Sequence, residues 1–166
     1  MSTDQGPVPR WLDERQMASW RSFVAAMNLV TRALDRDLRV QSDLTNDDYE
    51  VLVHLSELPD QRVRLGELAA RLRVPKAHLT YRIARLEKAG LVERAECPSD
   101  GRGVLAVLTP AGATRLADAA PGHVDSVRRH VIDHLTPDQL DALGDAMSAI
   151  LRGHDGECAA AAAAEC

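Results

Sequence analysis

The chain has 166 residues, 45% of them hydrophobic but only 3% aromatic, and a formal net charge of −5. That length suits one domain with a real core, and the composition favours helices packed through aliphatic side chains. No apolar run approaches the roughly 18 residues of a membrane span. The start, MSTDQGPVPR, lacks the basic-then-apolar order of a signal peptide. With two of its three cysteines in the tail (Cys158, Cys166), the chain has no disulfide framework. The expectation is a soluble cytosolic protein. The charge is uneven: from Arg62 to Arg102 there are ten Lys/Arg against five Asp/Glu, while the remainder holds ten against twenty. A basic middle inside an acidic chain is the footprint of an anionic partner such as nucleic acid.

In chain order, Met17, Trp20, Val24, Met27, Leu34 and Leu38 recur at helical spacing and predict a long helix over about Trp11 to Leu38. Thr45 and Asp48 form a capping-box variant that starts a second helix, ending before Pro59. It carries Tyr49, Leu52, Val53 and Leu55. Two short helices follow, Leu65 to Leu72 and Pro75 to Ala89, across the turn Arg73-Val74. Gly90 supplies a left-handed cap, and the pair makes a helix-turn-helix pattern. Leu91 to Glu96 and Gly103 to Leu108 predict a β-hairpin around the turn CPSDGRG. Thr109-Pro110 caps a further helix, with a kink or break expected near Pro121-Gly122. Thr136-Pro137-Asp138-Gln139 starts the last one, striped by Leu140, Leu143, Met147 and Ile150, before an Ala-rich tail that reads as disordered or weakly helical.

With Leu79, Ile83 and Leu86 facing in, helical periodicity turns His78, Tyr81, Arg82 and Arg85 of KAHLTYRIARLEKAG outward, with Thr80 at the flank. Such groups read base edges in a major groove; an ordinary solvated helix face is the competing reading. Lys76 lies in the first turn, where free backbone N–H groups also meet phosphate. The hairpin tips the balance. A turn needs the glycines but not Arg102, which is placed to enter a narrow minor groove. Asp100 can hold the tip in shape by pairing with an arginine such as Arg94.

The order long helix, helix, helix-turn-helix, RLEKAGLVER, a turn with D-x-R, then LTPAG resembles the MarR family of bacterial winged-helix transcription regulators. The resemblance spans about Trp11 to Leu151. Its most specific part is LEKAGLVER…SDGRGVLAVLTPAG, with Asp100 and Arg102 on the family's wing motif. It implies a mainly α fold with a small β-hairpin wing and a homodimer joined through the first, fifth and sixth helices. It also implies a palindromic operator on double-stranded DNA, and release by a small effector, commonly phenolic or anionic. No cofactor is implied. The family often has arginine where this chain has Tyr81 and an apolar residue where it has Arg82. The reversed order bears on the operator sequence and on the rotation of the helix, not on DNA binding.

The expected organisation is a flexible segment 1–10, a dimerisation helix 11–44, a winged helix-turn-helix lobe 45–109, dimerisation helices 110–152 and a disordered tail 153–166. The apolar stripes of the terminal helices exceed what a winged lobe can cover, which supports the dimer independently. Two reading helices would then meet half-sites about 34–36 Å apart.

The expected function is a DNA-binding regulator, a repressor, in the bacterial cytoplasm and at the nucleoid when bound. Two alternatives stand: a redox-sensing regulator acting through Cys97, whose thiol pKa basic neighbours lower, and a dimeric adaptor with a degenerate winged helix. Trp20 and His54 are candidates to line an effector cavity, against core packing and a satisfied histidine. His130 and His134, four apart with His123 and Asp133 nearby, have metal-ligand spacing but read better as surface histidines. No P-loop, zinc-protease motif or nucleophile elbow is present, so the chain reads as no enzyme.

Overall fold

In a computed structural model the described residues are 9–96 and 103–164, the last ten of these by backbone alone. Helix α1 (Glu14–Ser42) leads to α2 (Asn46–Ser56), strand β1 (Arg62–Arg64), α3 (Leu65–Arg71) and α4 (Lys76–Lys88). Strands β2 (Val92–Glu96) and β3 (Val104–Leu108) follow, then α5 (Pro110–His130), a single 3-10 turn (Ile132–His134) and α6 (Pro137–Ala164). The three strands form an antiparallel sheet in the order β1-β3-β2, with Val63 opposite Ala106 and Arg94 opposite Ala106 from the other side. No helix among the described residues is long and apolar enough to cross a membrane.

The local signals explain most boundaries. Thr45 Oγ1 accepts from the Asp48 N–H at 3.0 Å while Asp48 returns a bond to the Thr45 N–H, a complete capping box. Gly90 adopts φ +71°, and the N–H groups of Gly90 and Leu91 reach the carbonyls of Glu87 and Leu86, both at 2.9 Å. That is a full Schellman ending. Helix α3 ends in the same motif, with Arg73 at φ 53° and bonds from Arg73 to Ala70 and from Val74 to Ala69. The core of the lobe gathers Leu52 and Leu55 of α2, Leu68 of α3, Leu79, Ile83 and Leu86 of α4, and Val92, Ala106 and Leu108 of the sheet.

Two features depart from the sequence reading. Strand β1 was not foreseen. Of the kink or break expected near Pro121-Gly122, the break does not occur: α5 runs through Pro121 as one helix. Proline costs an interior helix a hydrogen bond and some strain, but α5 lies along α1 over much of its length, and packing overrides local propensity. The backbone of α6 continues as helix to Ala164, the helical one of the two readings given for the tail, in keeping with alanine's high helix propensity.

Two contacts fasten α5. At its start, Thr109 Oγ1 donates to the Gly90 carbonyl at 2.7 Å, and Gly112 sits so close to the Leu91 carbonyl that a Cβ there would collide with it. In its last turns, Asp37 of α1 accepts from Ser126 at 2.8 Å and Arg129 at 3.3 Å and lies 3.0 Å from His130 Nε2. The Ser126 hydroxyl first, and then His130, hold the Asp37 carboxyl down to about 2.

Gly112→Ala should therefore force the α5 start off the hairpin and destabilise the fold by about 1–3 kcal/mol, read as a lower melting temperature. The Asp37 bonds favour its ionised form, so their contribution is complete above the ordinary carboxyl value of 3.8 and is lost as pH falls towards about 2. Asp37→Ala should lower the melting temperature at neutral pH, and the gap to the parent should close between pH 4 and pH 2.

Candidate nucleic-acid interface

The reading helix of the sequence analysis is α4, and its inward stripe is as expected: Leu79, Ile83 and Leu86 are buried. Its outer face is narrower than expected. Lys76 and His78 are exposed and Tyr81 is 71% exposed. Among the described residues their side chains make no hydrogen bond or ion pair, which leaves them available to a ligand. Thr80 is exposed too, but its hydroxyl donates to the Lys76 carbonyl at 2.9 Å.

Arg82 does not stand out from this face as expected, and Arg85, although its side chain is 40% exposed, is engaged rather than free. The Arg82 side chain is only 13% exposed, with Nη2 2.9 Å from Asp47 Oδ2 and Nη1 3.7 Å from Glu50 Oε2 on α2. Arg85 turns the same way: its Nε donates to Asp48 Oδ1 at 3.1 Å and its Nη2 to Thr45 Oγ1 at 2.8 Å. The cause is a complementary charge that periodicity within α4 does not contain. Helix α2 opens with Asn46-Asp47-Asp48-Tyr49-Glu50, and its acids face the two arginines across the lobe. These three acids are the site residues that sequence reasoning missed. The available signal was an acidic helix start beside a helix rich in arginine.

Arg94 on β2 also ties elements together, donating from Nη2 to the Thr80 carbonyl at 3.3 Å, with Nη1 3.5 Å from Glu87. Cys97, Asp100 and Arg102, in the turn between β2 and β3, lie outside the described residues. The strands that carry that turn are paired from Val92–Leu108 to Glu96–Val104.

Trp20 is 53% exposed on α1 and stacks on Phe23, with ring centroids 5.9 Å apart; His54 is half-buried on α2. A cleft of about 290 Å³ opens instead beside the Arg85 clasp, with Thr31, Arg32, Asp35, Arg39 and Asn46 on its walls, and neither Trp20 nor His54 lines it. His130 is taken up by Asp37, and α5 ends there, so His134 sits in the 3-10 turn rather than one turn along the same helix. His123 packs on Tyr49 with ring centroids 4.3 Å apart, and burial lowers its pKa. Among the described residues no three His, Cys, Asp or Glu side chains converge as metal ligands.

This arrangement is a winged helix-turn-helix. Residues 42–103 match the family model described as MarR family. The fold matches Sco3205, a MarR family transcriptional regulator from Streptomyces coelicolor solved in complex with DNA. The identity is 41%, over 90% of this chain and 94% of that one, with a TM-score of 0.86. The HTH-type transcriptional regulator YkoM of Bacillus subtilis is 31% identical over 130 residues, 78% of this chain and 82% of YkoM. The HTH-type transcriptional repressor YetL of the same organism is 30% identical over 98 residues, 59% of this chain and 58% of YetL. The chain belongs to the MarR family of transcriptional regulators.

Asp48 is buried and carries both the α2 cap and the α4 contact. Asp48→Ala should cost about 2 kcal/mol or more, from a lost cap and a stranded guanidinium, measured by urea denaturation. Asp48→Glu should recover only part of it, because the longer side chain misplaces the cap.

Proposed function

We propose that the protein is a homodimeric repressor that reads a palindromic operator through α4 and the wing and is released by a small effector. The observation that carries this reading is the free, exposed face of Lys76, His78 and Tyr81 on a helix whose opposite face is locked into the core. Lys76 and the α4 N-terminus position the helix on phosphate, and His78 and Tyr81 read base edges. Thr80 flanks them. Arg102, with Asp100 shaping the turn, enters the neighbouring minor groove. Arg85 and Arg94 act mainly by holding α4 to α2 and to β2. DNA in the Sco3205 complex supports the interface, and the repressor YetL supports the direction of control. The place of action is then the bacterial cytoplasm, at the nucleoid.

Dimerisation is supported by apolar surface that one copy leaves open. Trp11, Leu12, Met27 and Leu29 on or beside α1, and Leu140, Leu143, Ile150 and Leu151 on α6, are all exposed. Faces of this kind need burial, and a second copy supplies it symmetrically. The cleft beside Arg85, whose walls carry Asp35 and Asp47 as well as Arg32 and Arg39, supports a place for a small effector that would compete for the clasp that sets α4.

Sedimentation equilibrium should show a dimer, and Leu140→Asp with Leu143→Asp should yield monomers that no longer retard operator DNA. Tyr81→Ala should lower the ratio of operator to random-DNA affinity about 10-fold or more, a loss on the scale of one good base contact. Arg102→Ala should weaken operator binding with the dimer intact. Unchanged gel-shift affinity in Arg102→Ala would remove the wing from the mechanism. A monomer that binds operator as tightly as the parent would overturn the dimeric reading.

A further inference from the structure

We infer that Asp47 and Glu50 of α2 are specificity-determining residues: they hold Arg82 away from DNA, so that α4 reads with His78 and Tyr81. The inference rests on the DNA-reading role of α4 proposed above. Neighbouring side chains on α4 have opposite fates, Tyr81 being 71% exposed and the Arg82 side chain 13%. Nothing in Arg82 itself requires this, because arginine normally keeps its charged head in water. The guanidinium is drawn under the rim of the helix by two carboxylates that remain about half exposed themselves, Asp47 at 2.9 Å and Glu50 at 3.7 Å. The arrangement is imperfect as a structural bond: Arg82 Nη1 is buried and has no hydrogen-bond partner.

The geometry fits a different requirement. A free arginine on the reading helix would find a phosphate on any duplex, adding affinity without sequence information. Specificity is a difference of affinities, and it rises when contacts common to all partners are removed. Asp47 and Glu50 remove one such contact by occupying Arg82 from within. Tyr81, beside it, has no charge with which to grip phosphate indiscriminately.

The test uses the full-length protein, an operator obtained by selection from random DNA, and a random duplex, with binding read by fluorescence anisotropy across a salt series. The variants are Asp47→Asn with Glu50→Gln, the same pair with Arg82→Gln added, and Tyr81→Ala. Freeing Arg82 should tighten binding to the random duplex several-fold and steepen the slope of log K against log salt by about 0.9, one extra phosphate contact. The operator-to-random ratio should fall. Adding Arg82→Gln should return slope and random-DNA affinity to the parent values.

A gain that persists without Arg82 would mean simple loss of acidic repulsion and would overturn the inference. So would weaker binding to both duplexes, which is what a merely structural tie between α2 and α4 predicts. Tyr81→Ala separates the two levels. If it lowers the ratio while the double variant does not, the lock alone is wrong. If Tyr81→Ala leaves the ratio unchanged, the reading role of α4 fails, and the lock with it.

Discussion

The orientation of α4 depends on one buried carboxylate. Asp48 lies at the start of α2, accepts from the Thr45 hydroxyl at 2.7 Å and N–H at 3.2 Å, and takes the Arg85 guanidinium of α4. Thr45 in turn accepts a second Arg85 bond at 2.8 Å. Burying an ion is costly unless its bonding capacity is filled, and here three kinds of donor fill it. The network goes on to α1, because the N–H of Asn46 donates to Asp35 at 2.9 Å and Arg39 pairs with Asp35 at 2.7 Å. The cleft lined by Arg32, Arg39 and Arg85 together with Asp35 and Asp47 is the space left beside this chain of bonds. An occupant there acts on the reading helix through contacts already in place, which gives the small effector proposed above a physical route to α4.

Features written within four or five residues of sequence were legible. The Thr45–Asp48 box, the Thr109-Pro110 start and the Gly90 ending each need only their own neighbours, and each appears where its residue types demand. The turn between α3 and α4 has the same Schellman geometry as the ending at Gly90, but an arginine stands in the left-handed position, so its position was readable and its conformation was not. Strand β1 is three residues long and exists only because β3 lies beside it. No local pattern announces such a strand. Pro121 pointed to a break that contact with α1 overrides.

The largest revision concerns Arg82, and both it and the exposed Arg85 find partners on α2 that lie far back in the chain; the Arg85–Asp48 bond alone closes a separation of 37 residues. Periodicity decides which way a Cβ points, but a long arginine goes where the charge is. The reversed order of Tyr81 and Arg82 relative to the family pattern becomes intelligible on this account. Arg82 occupies a position that turns towards the lobe, and α2 supplies carboxylates to receive it. The aromatic ring is left on the outside. A net charge of −5 is therefore no measure of the surface offered to DNA. The counts of Lys and Arg over-state that surface too, because part of the basic middle is consumed internally.

Helix α5 connects the two ends of the molecule. At its start the Thr109 hydroxyl and the close approach of Gly112 bind it to Gly90 and Leu91, the residues that terminate α4. In its last turns Ser126, Arg129 and His130 bind it to Asp37 on α1. A helix fastened at both ends transmits position from α1 to the end of α4. In the proposed dimer, α1 and α6 meet the second copy, so the separation of two α4 helices is governed by how α5 is seated. Half-site spacing on DNA is fixed by the helical repeat, and a shift of α5 on either seat would misplace both reading helices together. In the proposed dimer, the glycine at position 112 and the acid at position 37 would therefore bear on operator fit without touching DNA.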